Sequence, residues 1–284
     1  MERIGRDSTA YPEALKEIPE PPHELWLAGT FPPPGHTRLA VVGSRALSPY
    51  GKEVCESLIA GLAGYPISII SGLALGADGC AHRAAMRAGL HTFAVPGSGL
   101  AHTALYPRAH VGLAKEILES GGGLLSEHEP NYRARAYDFP SRNRIMVGLA
   151  DAVLMVEAGE RSGTLITARL AGEYNRQLLC IPHRIGDVHG YGSHFFLRFG
   201  ATLVSEPQHI LEALSIEPRE SAAERNIDTL SPPERAIVSL LSEPRTRDEL
   251  LRSCGLPAHE ALAILGTLEL AGILKEAFGT WRRA

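Results

Sequence analysis

The sequence predicts an α/β fold with a mostly parallel β-sheet, and two observations support this prediction. Seven short apolar, β-branched runs recur along the chain, and the stretches between them have helical spacing. The runs are nearly all apolar rather than alternating, as expected for strands that helices cover on both faces. We therefore expect a doubly wound, Rossmann-like sheet. The predicted strands are residues 39–42, 67–70, 92–95, 123–126, 152–156, 178–181 and 202–204.

Proline-rich sequence precedes the first predicted strand and interrupts any long element there. We expect one short helix near residues 12–18 and treat residues 1–35 as an N-terminal extension. The predicted Rossmann-like domain is residues 36–215, and its last part, residues 206–214, is expected to form a closing helix. A polar stretch then has the composition of a linker, which we place at residues 216–228.

Residues 229–284 carry clear helix-start signals and predict a small winged-helix domain. Ser231 and Thr246 each begin the S/T-x-x-E pattern of a capping box, so two helices start there. A third helix is expected over residues 257–271, ended by Gly272, and residues 273–282 are expected to form a hairpin.

The charge of this C-terminal segment argues against recognition of duplex DNA. Residues 229–284 contain seven basic and seven acidic residues, and the third predicted helix contains no Lys or Arg. In a helix-turn-helix protein that helix would enter the major groove. We therefore expect this domain to contact proteins or to self-associate.

Composition narrows the class of protein further. The 284 residues carry a formal net charge of −4, so nucleic-acid binding would need local positive patches rather than an overall basic surface. The four cysteines are widely separated, which predicts reduced thiols and no zinc site. No apolar signal-peptide core or membrane-length run is present, so we expect a cytoplasmic protein.

Small-residue clusters follow three of the predicted strands, and this arrangement can point backbone N–H groups and a positive helix end at an anion. A fourth cluster adds cations: residues 133–144 contain four Arg against one acid, with aromatic residues between them. Arginine combined with aromatic rings is typical of grooves that bind single strands. The candidate nucleic-acid-binding residues are Gly43, Ser44, Arg45, Ser71, Gly72, Phe139, Arg142, Asn143, Arg144, Ser162, Gly163, Thr164 and Arg169.

Asp78 and His82 lie four residues apart, so they share one face of a predicted helix. They could form an acid–base pair, although a structural hydrogen bond at a helix start is the better interpretation. His183, His189 and His194 lack metal-site spacing and are interpreted as polar loop residues. No GxxxxGK[ST] loop is present, and the glycines at 97 and 99 lack the third glycine of a dinucleotide fingerprint, so we predict no cofactor and no metal.

In their order along the chain, these motifs resemble the DprA/Smf family. The resemblance rests on Gly43-Ser44-Arg45, on Ser71-Gly72 with Asp78 and His82, on Phe139-Pro140 with Arg142-Asn143-Arg144, and on the run from Ser162 to Arg169. It implies an extended Rossmann fold that binds single-stranded DNA without sequence preference and is not an enzyme. It also implies a homodimer that loads RecA recombinase onto strands covered by single-strand-binding protein during natural transformation. The DNA pocket that it implies comprises Gly43, Ser44, Arg45, Arg142, Asn143 and Arg144.

Two other functions are compatible with parts of the sequence. A nucleotide hydrolase resembling the LOG phosphoribohydrolases would share the fold, but those enzymes have a Glu soon after a Gly-Gly-x-Gly-Thr turn, whereas Ser162-Gly163-Thr164 is followed by Leu165-Ile166-Thr167. A transcriptional regulator with a DNA-reading wing is disfavoured by the uncharged third helix. The leading hypothesis places phosphates over the helix starts expected after Gly43-Ser44-Arg45 and at Ser162-Gly163-Thr164.

Overall fold

A computed structural model describes residues 1–218, 230–277 and 279–283 of the chain. The chain divides into two compact units, Met1–Glu217 and Pro218–Ala284. Most of the expected linker, residues 219–228, lies outside the described residues, as do residues 229, 278 and 284.

The first unit contains a nine-stranded sheet in the order β1-β2-β6-β5-β4-β3-β7-β8-β9. The seven strands from β6 to β9 in this order are mutually parallel, and β2 and β1 continue the sheet antiparallel beyond β6. The strands are β1 (Glu2–Gly5), β2 (Glu24–Gly29), β3 (Thr37–Val42), β4 (Ile67–Ser71), β5 (His91–Ala94), β6 (Gly123–Ser126), β7 (Ala152–Met155), β8 (Gln177–Cys180) and β9 (Thr202–Leu203).

All seven predicted strands are present, within a few residues of the expected bounds. The N-terminal segment differs from expectation, because besides the short helix it contributes β1 and β2 to the main sheet. β1 has four residues, two of them charged, and therefore lacks a continuous apolar run. β2 does contain an apolar run, Leu25 to Ala28, but only alternate residues in it are buried and it stands between two groups of prolines.

Helices cover both faces of the sheet. On one face α2 and α3 pack through Leu58 and Ala81, together with α8 through Ile210. On the other face α5 and α6 pack through Ile145 and Ala168. The helices of this unit are α1 (Glu13–Lys16), α2 (Pro49–Ala60), α3 (Ala77–Arg87), α4 (Val111–Glu119), α5 (Asp138–Leu149), α6 (Thr164–Glu173), α7 (Tyr191–Arg198) and α8 (Pro207–Ala213).

The strand order reverses at the centre of the sheet. From β3 the chain adds β4, β5 and β6 on one side, and it then crosses to add β7, β8 and β9 on the other. Where the loops after two neighbouring strands run in opposite directions, a crevice forms between them at the carboxyl ends of the strands. In this sheet the crevice lies beyond β3 and β7.

The second unit has the three helices and the hairpin expected of a winged helix: α9 (Pro232–Leu240), α10 (Arg247–Ser253) and α11 (Ala258–Leu270), with a sheet in the order β10-β12-β11. These strands are β10 (Arg245–Thr246), β11 (Leu274–Ala277) and β12 (Thr280–Arg283). Both predicted capping boxes, at Ser231 and Thr246, are formed. No helix in the described parts of either unit has the length and apolar character to cross a membrane.

Candidate nucleic-acid interface

A cleft of about 960 Å³ lies at the carboxyl ends of the central strands. Its walls come from the loops after β3, β4, β7 and β8 and from the first half of α5. This is the crevice expected where the strand order reverses. The lining residues are Val42, Gly43, Ser44, Arg45, Ala46, Ala74, Asp78, Ala136, Phe139, Pro140, Arg142, Asn143, Met146, Gly159, Glu160, Arg161, Ser162, Gly163, Thr164, Thr167, Val188 and His189.

Close packing of two loops shapes the wall after β3. Gly43 lies against Ala77, and a Cβ atom at Gly43 would overlap that side chain. Gly76, with φ of +74°, packs directly on the backbone of Ser44 and Arg45, where no side chain would fit. The glycines therefore bring the β3 and β4 loops into contact.

Arg45 is exposed at the mouth of the cleft, and its position differs from expectation. The helix after β3 begins only at Pro49, with Ser48 as its N-cap, so Arg45 lies in a loop and not in a first helical turn. Its guanidinium carbon lies 5.0 Å from the centre of the Phe139 ring. Such stacking orients an arginine while leaving its hydrogen-bond donors available. Tyr106 extends the aromatic surface, its ring centre 5.3 Å from that of Phe139.

Arg142 has a different environment, although it also borders the cleft. Only 4% of its surface is exposed. Its Nη1 donates hydrogen bonds to the carbonyl oxygens of Gly72, at 2.5 Å, and Val95, so it joins the loops after β4 and β5. Gly72 is required because a Cβ atom there would overlap the guanidinium group. Burial lowers the pKa of Arg142 to about 10, against the attraction of Asp78, so the side chain remains charged at neutral pH.

Asp78 fixes the same loop. Its Oδ2 accepts hydrogen bonds of 3.1 Å from the backbone N–H groups of Gly72 and Ala74. Burial raises the pKa of Asp78, an effect that Arg142 and these two amides oppose. The buried His82 faces elsewhere, with its Nδ1 2.7 Å from Thr92 Oγ1. Each side chain thus has its own partners, and the hydrogen bonds of Asp78 are those of a loop-stabilising residue.

Arg144 points away from the cleft. Two of its guanidinium nitrogens donate to the Glu127 carboxylate at 2.8 and 2.6 Å, and Nε donates to the Glu20 carbonyl oxygen at 3.0 Å. Residues two apart on a helix lie on nearly opposite faces, so Arg142 and Arg144 cannot both face one groove. The structure therefore separates Arg144 from the other candidates and gives its charge a partner.

The start of α6 forms the opposite wall. Ser162 Oγ lies 3.0 Å from Thr164 Oγ1 and accepts from the Thr164 N–H at 3.2 Å, and Gly163 is the N-cap. This helix end faces the cleft, as expected. Arg169, by contrast, is exposed farther along α6 and lies outside the cleft lining. Ser71 is also elsewhere, buried within the sheet with its hydroxyl donating to the Val41 carbonyl oxygen.

Sequence reasoning missed two cleft residues that can meet an anion. Arg161 is exposed on the wall beside Ser162. Its position directly before the Ser-Gly-Thr turn was the available signal. His189 also lines the cleft, although the sequence suggested only a polar loop residue. In the described parts of the chain, no group of His, Cys, Asp and Glu side chains is arranged to hold a metal ion.

Comparison with known proteins places this chain in one family. A family model described as DNA recombination-mediator protein A matches residues 2–215, and a DprA winged helix domain model matches residues 221–277. Protein Smf of Escherichia coli is 38% identical over 99% of this chain and 76% of its own length.

Two solved structures are similar to this chain. DNA processing protein A from Streptococcus pneumoniae has a TM-score of 0.70 at 37% identity, covering 77% of this chain and 75% of that one. DNA processing protein A from Helicobacter pylori has a TM-score of 0.65 at 27% identity, covering 75% and 96%. The latter is described as having a unique single-stranded DNA binding mode. On its sequence, its fold and both of its units, the chain belongs to the DprA/Smf family.

Proposed function

We propose that this protein binds single-stranded DNA without sequence preference in the cleft beyond β3 and β7. The observation that carries the proposal is the exposed Arg45 guanidinium over Phe139 at the cleft mouth. In such grooves arginines neutralise the phosphates, and aromatic rings stack on the bases. Because every base can stack, this contact does not depend on the DNA sequence. The single-strand binding attributed to the Helicobacter pylori relative supports the same assignment.

The candidate residues then divide by role. Arg45 and Arg161 supply exposed cations, and Ser162 and Thr164 supply hydroxyl groups at the helix end. Gly43, Ser44 and Asn143 shape or border the path of the strand. The buried cation that positions the loops is Arg142, with Gly72 and Asp78 as its supports. Arg144 and Arg169 are assigned no direct contact in this proposal.

We infer a binding function rather than catalysis. Asp78 and His82, the pair with acid–base spacing, make separate hydrogen bonds and are both buried. Burial lowers the pKa of His82 to about 3, so this side chain does not carry a proton for transfer near neutral pH. We also infer a cytoplasmic location, with which the four free cysteines agree.

We further propose that the protein acts as a homodimer through α7 and β9. Tyr191, Phe195 and Phe199 form an aromatic row: the first two rings stack on α7, and Phe199, the C-cap of α7, packs at a tilt against Phe195 and is 73% exposed. The edge strand β9 lies next to this row in sequence and exposes Leu203. An apolar row beside an open strand edge can be covered by the same surface of a second copy around a twofold axis.

The bound strand would be passed to RecA recombinase, with displacement of single-strand-binding protein, during transformation and recombination. The description of the matching family as a recombination mediator supports this role. The winged-helix unit is assigned to protein contact rather than to duplex recognition, because α11 carries no Lys or Arg.

Fluorescence anisotropy tests the binding proposal. Labelled oligo-dT and a duplex of equal length are titrated with the full chain over a salt series. We expect oligo-dT to bind at least about tenfold more tightly, with affinity falling steeply as salt rises. Equal affinity for both DNAs would contradict the proposal. Release of free base from nucleoside monophosphates would instead favour the phosphoribohydrolase alternative.

A further inference from the structure

A buried carboxylate lies directly behind the cleft wall. Glu157 follows β7 and is fully buried. Its Oε1 accepts from the Ser48 N–H at 2.8 Å, and its Oε2 accepts from the Ser48 hydroxyl at 2.7 Å. Gly51 leaves the space that this carboxylate occupies, because a Cβ atom there would overlap Oε2. A buried carboxyl group needs polar partners, and a carboxylate and a nearby imidazole can form an ion pair when both are charged.

Among the described residues, His189 is the ion-pair partner of Glu157. Its Nδ1 lies 3.5 Å from Glu157 Oε1, its side chain is 36% exposed, and it lines the cleft. Its backbone is fixed, because the His189 N–H donates to Asp187 Oδ1 at 2.9 Å and its carbonyl accepts from Ala158. The imidazole thus lies between a buried carboxyl group and the space assigned to DNA.

We propose that His189 is a proton-linked contact for a DNA phosphodiester, so that binding in the cleft is coupled to protonation of this imidazole. Imidazole changes charge near neutral pH, and a bound phosphodiester favours its charged form. Protonated His189 has two N–H donors, one for each anion. This inference rests on the single-strand-binding function proposed above and deepens it.

The cleft that His189 lines also carries Arg45 and Arg142, whose positive charges act against a protonated imidazole, whereas the groups nearer in sequence do not. Arg161 and Glu160 stand on the same cleft wall and are both exposed, so their opposite charges largely offset each other and are screened. Asp187 adds a second negative charge and lies 3.7 Å from His183. From α2 the neighbouring group is the Ser48 N-cap, which is uncharged.

Proton uptake measured by calorimetry tests the proposal. Oligo-dT is titrated into the full chain at about pH 7 in buffers of different ionisation enthalpy. For the wild type we expect uptake of about half a proton for each bound strand. We also expect oligo-dT to bind about tenfold more tightly at pH 6 than at pH 8.5, because a tenfold change in affinity corresponds to one charge-assisted hydrogen bond. His189→Gln should abolish the uptake and flatten the pH dependence of oligo-dT binding between about pH 6 and pH 8.5.

The matched control is His209→Gln. His209 also pairs with a glutamate, its Nε2 lying 3.2 Å from Glu206 Oε1, but it belongs to α8 outside the cleft. We expect this variant to retain the full uptake. Oligo-dT binding with no proton uptake, or with uptake that survives His189→Gln, would overturn this inference alone. Failure of the wild type to bind oligo-dT at any pH would overturn the proposed function as well.

Discussion

At the residue scale, three arginines from two of the sequence motifs occupy three different environments. Arg45 is exposed over an aromatic ring, Arg142 is buried against carbonyl oxygens, and Arg144 is paired with Glu127. Sequence reasoning grouped all three as DNA contacts because a cluster of charge does not reveal the direction of each side chain. Helical geometry does reveal part of it, since positions 142 and 144 fall on different faces of α5.

Arg142 is expected to matter more for stability than for contact with DNA. Arg142→Met would leave the carbonyl groups of Gly72 and Val95 without this donor, and Asp78 without its nearby positive charge. We expect the free energy of unfolding to fall by about 3 kcal/mol in urea titrations. The exposed Arg45→Met serves as the control and should change it by less than about 0.5 kcal/mol. Similar losses in both variants would contradict the structural role of Arg142.

His82 is expected to make the fold sensitive to acid. Its pKa is about 3 in the folded chain because of burial, against about 6.5 when unfolded. Between about pH 3 and pH 6.5, His82 therefore binds a proton in the unfolded chain but not in the folded chain. As a result, the free energy of unfolding falls as pH drops below about 6.5. The wild type should lose about 1.4 kcal/mol per pH unit more than His82→Gln between about pH 6 and pH 4. Parallel pH profiles of unfolding for the two proteins would contradict this account.

At the element scale, the parallel strands were predictable because burial on both faces leaves a continuous apolar run. β1 and β2 were not, because β1 is a four-residue edge strand with two charged residues and the apolar run of β2 stands between two groups of prolines. Both capping boxes of the winged helix were predicted from four-residue patterns, since the interaction is local. The start of α2 at Pro49 was missed because the loop after β3 extends past Arg45 to contact the β4 loop.

The aromatic row on α7 gives a prediction about self-association. Phe199→Glu would place a charge in the proposed dimer surface, where it would be desolvated without a partner. We expect a dimer for the wild type in sedimentation velocity and a monomer for the variant at the same concentration. Leu270→Glu is the control, because Leu270 is a comparably exposed apolar residue on α11 in the other unit. Loss of the dimer in both variants, or in neither, would contradict the assignment.

At the scale of the whole molecule, the proposed function assigns different parts to the two units. The cleft is built entirely from residues 42–189, within the first unit. Its location follows from the reversal of strand order, which brings loops distant in sequence to one edge of the sheet. The motifs could be recognised in the sequence. That Arg161 and His189 line the same cleft as the β3 loop could not, because it depends on the strand order.

Removal of the second unit tests this division. A chain ending at Glu217 retains every lining residue of the cleft and should bind oligo-dT within about threefold of the full chain, with the same salt dependence. Anisotropy titrations of the two proteins, after circular dichroism has established equal folding, provide the comparison. An affinity loss of more than about tenfold would transfer a major part of DNA binding to the winged helix.

The central claim is that Arg45 at the cleft mouth neutralises a DNA phosphate. The most direct measurement compares Arg45→Glu with Arg169→Glu in oligo-dT anisotropy over a salt series, because both residues are exposed and both changes reverse one charge. We expect Arg45→Glu to weaken binding more than about tenfold and to reduce the slope of log affinity against log salt by about 0.7, while Arg169→Glu stays within about threefold. Equal effects of the two reversals, or unchanged affinity in Arg45→Glu, would contradict the claim.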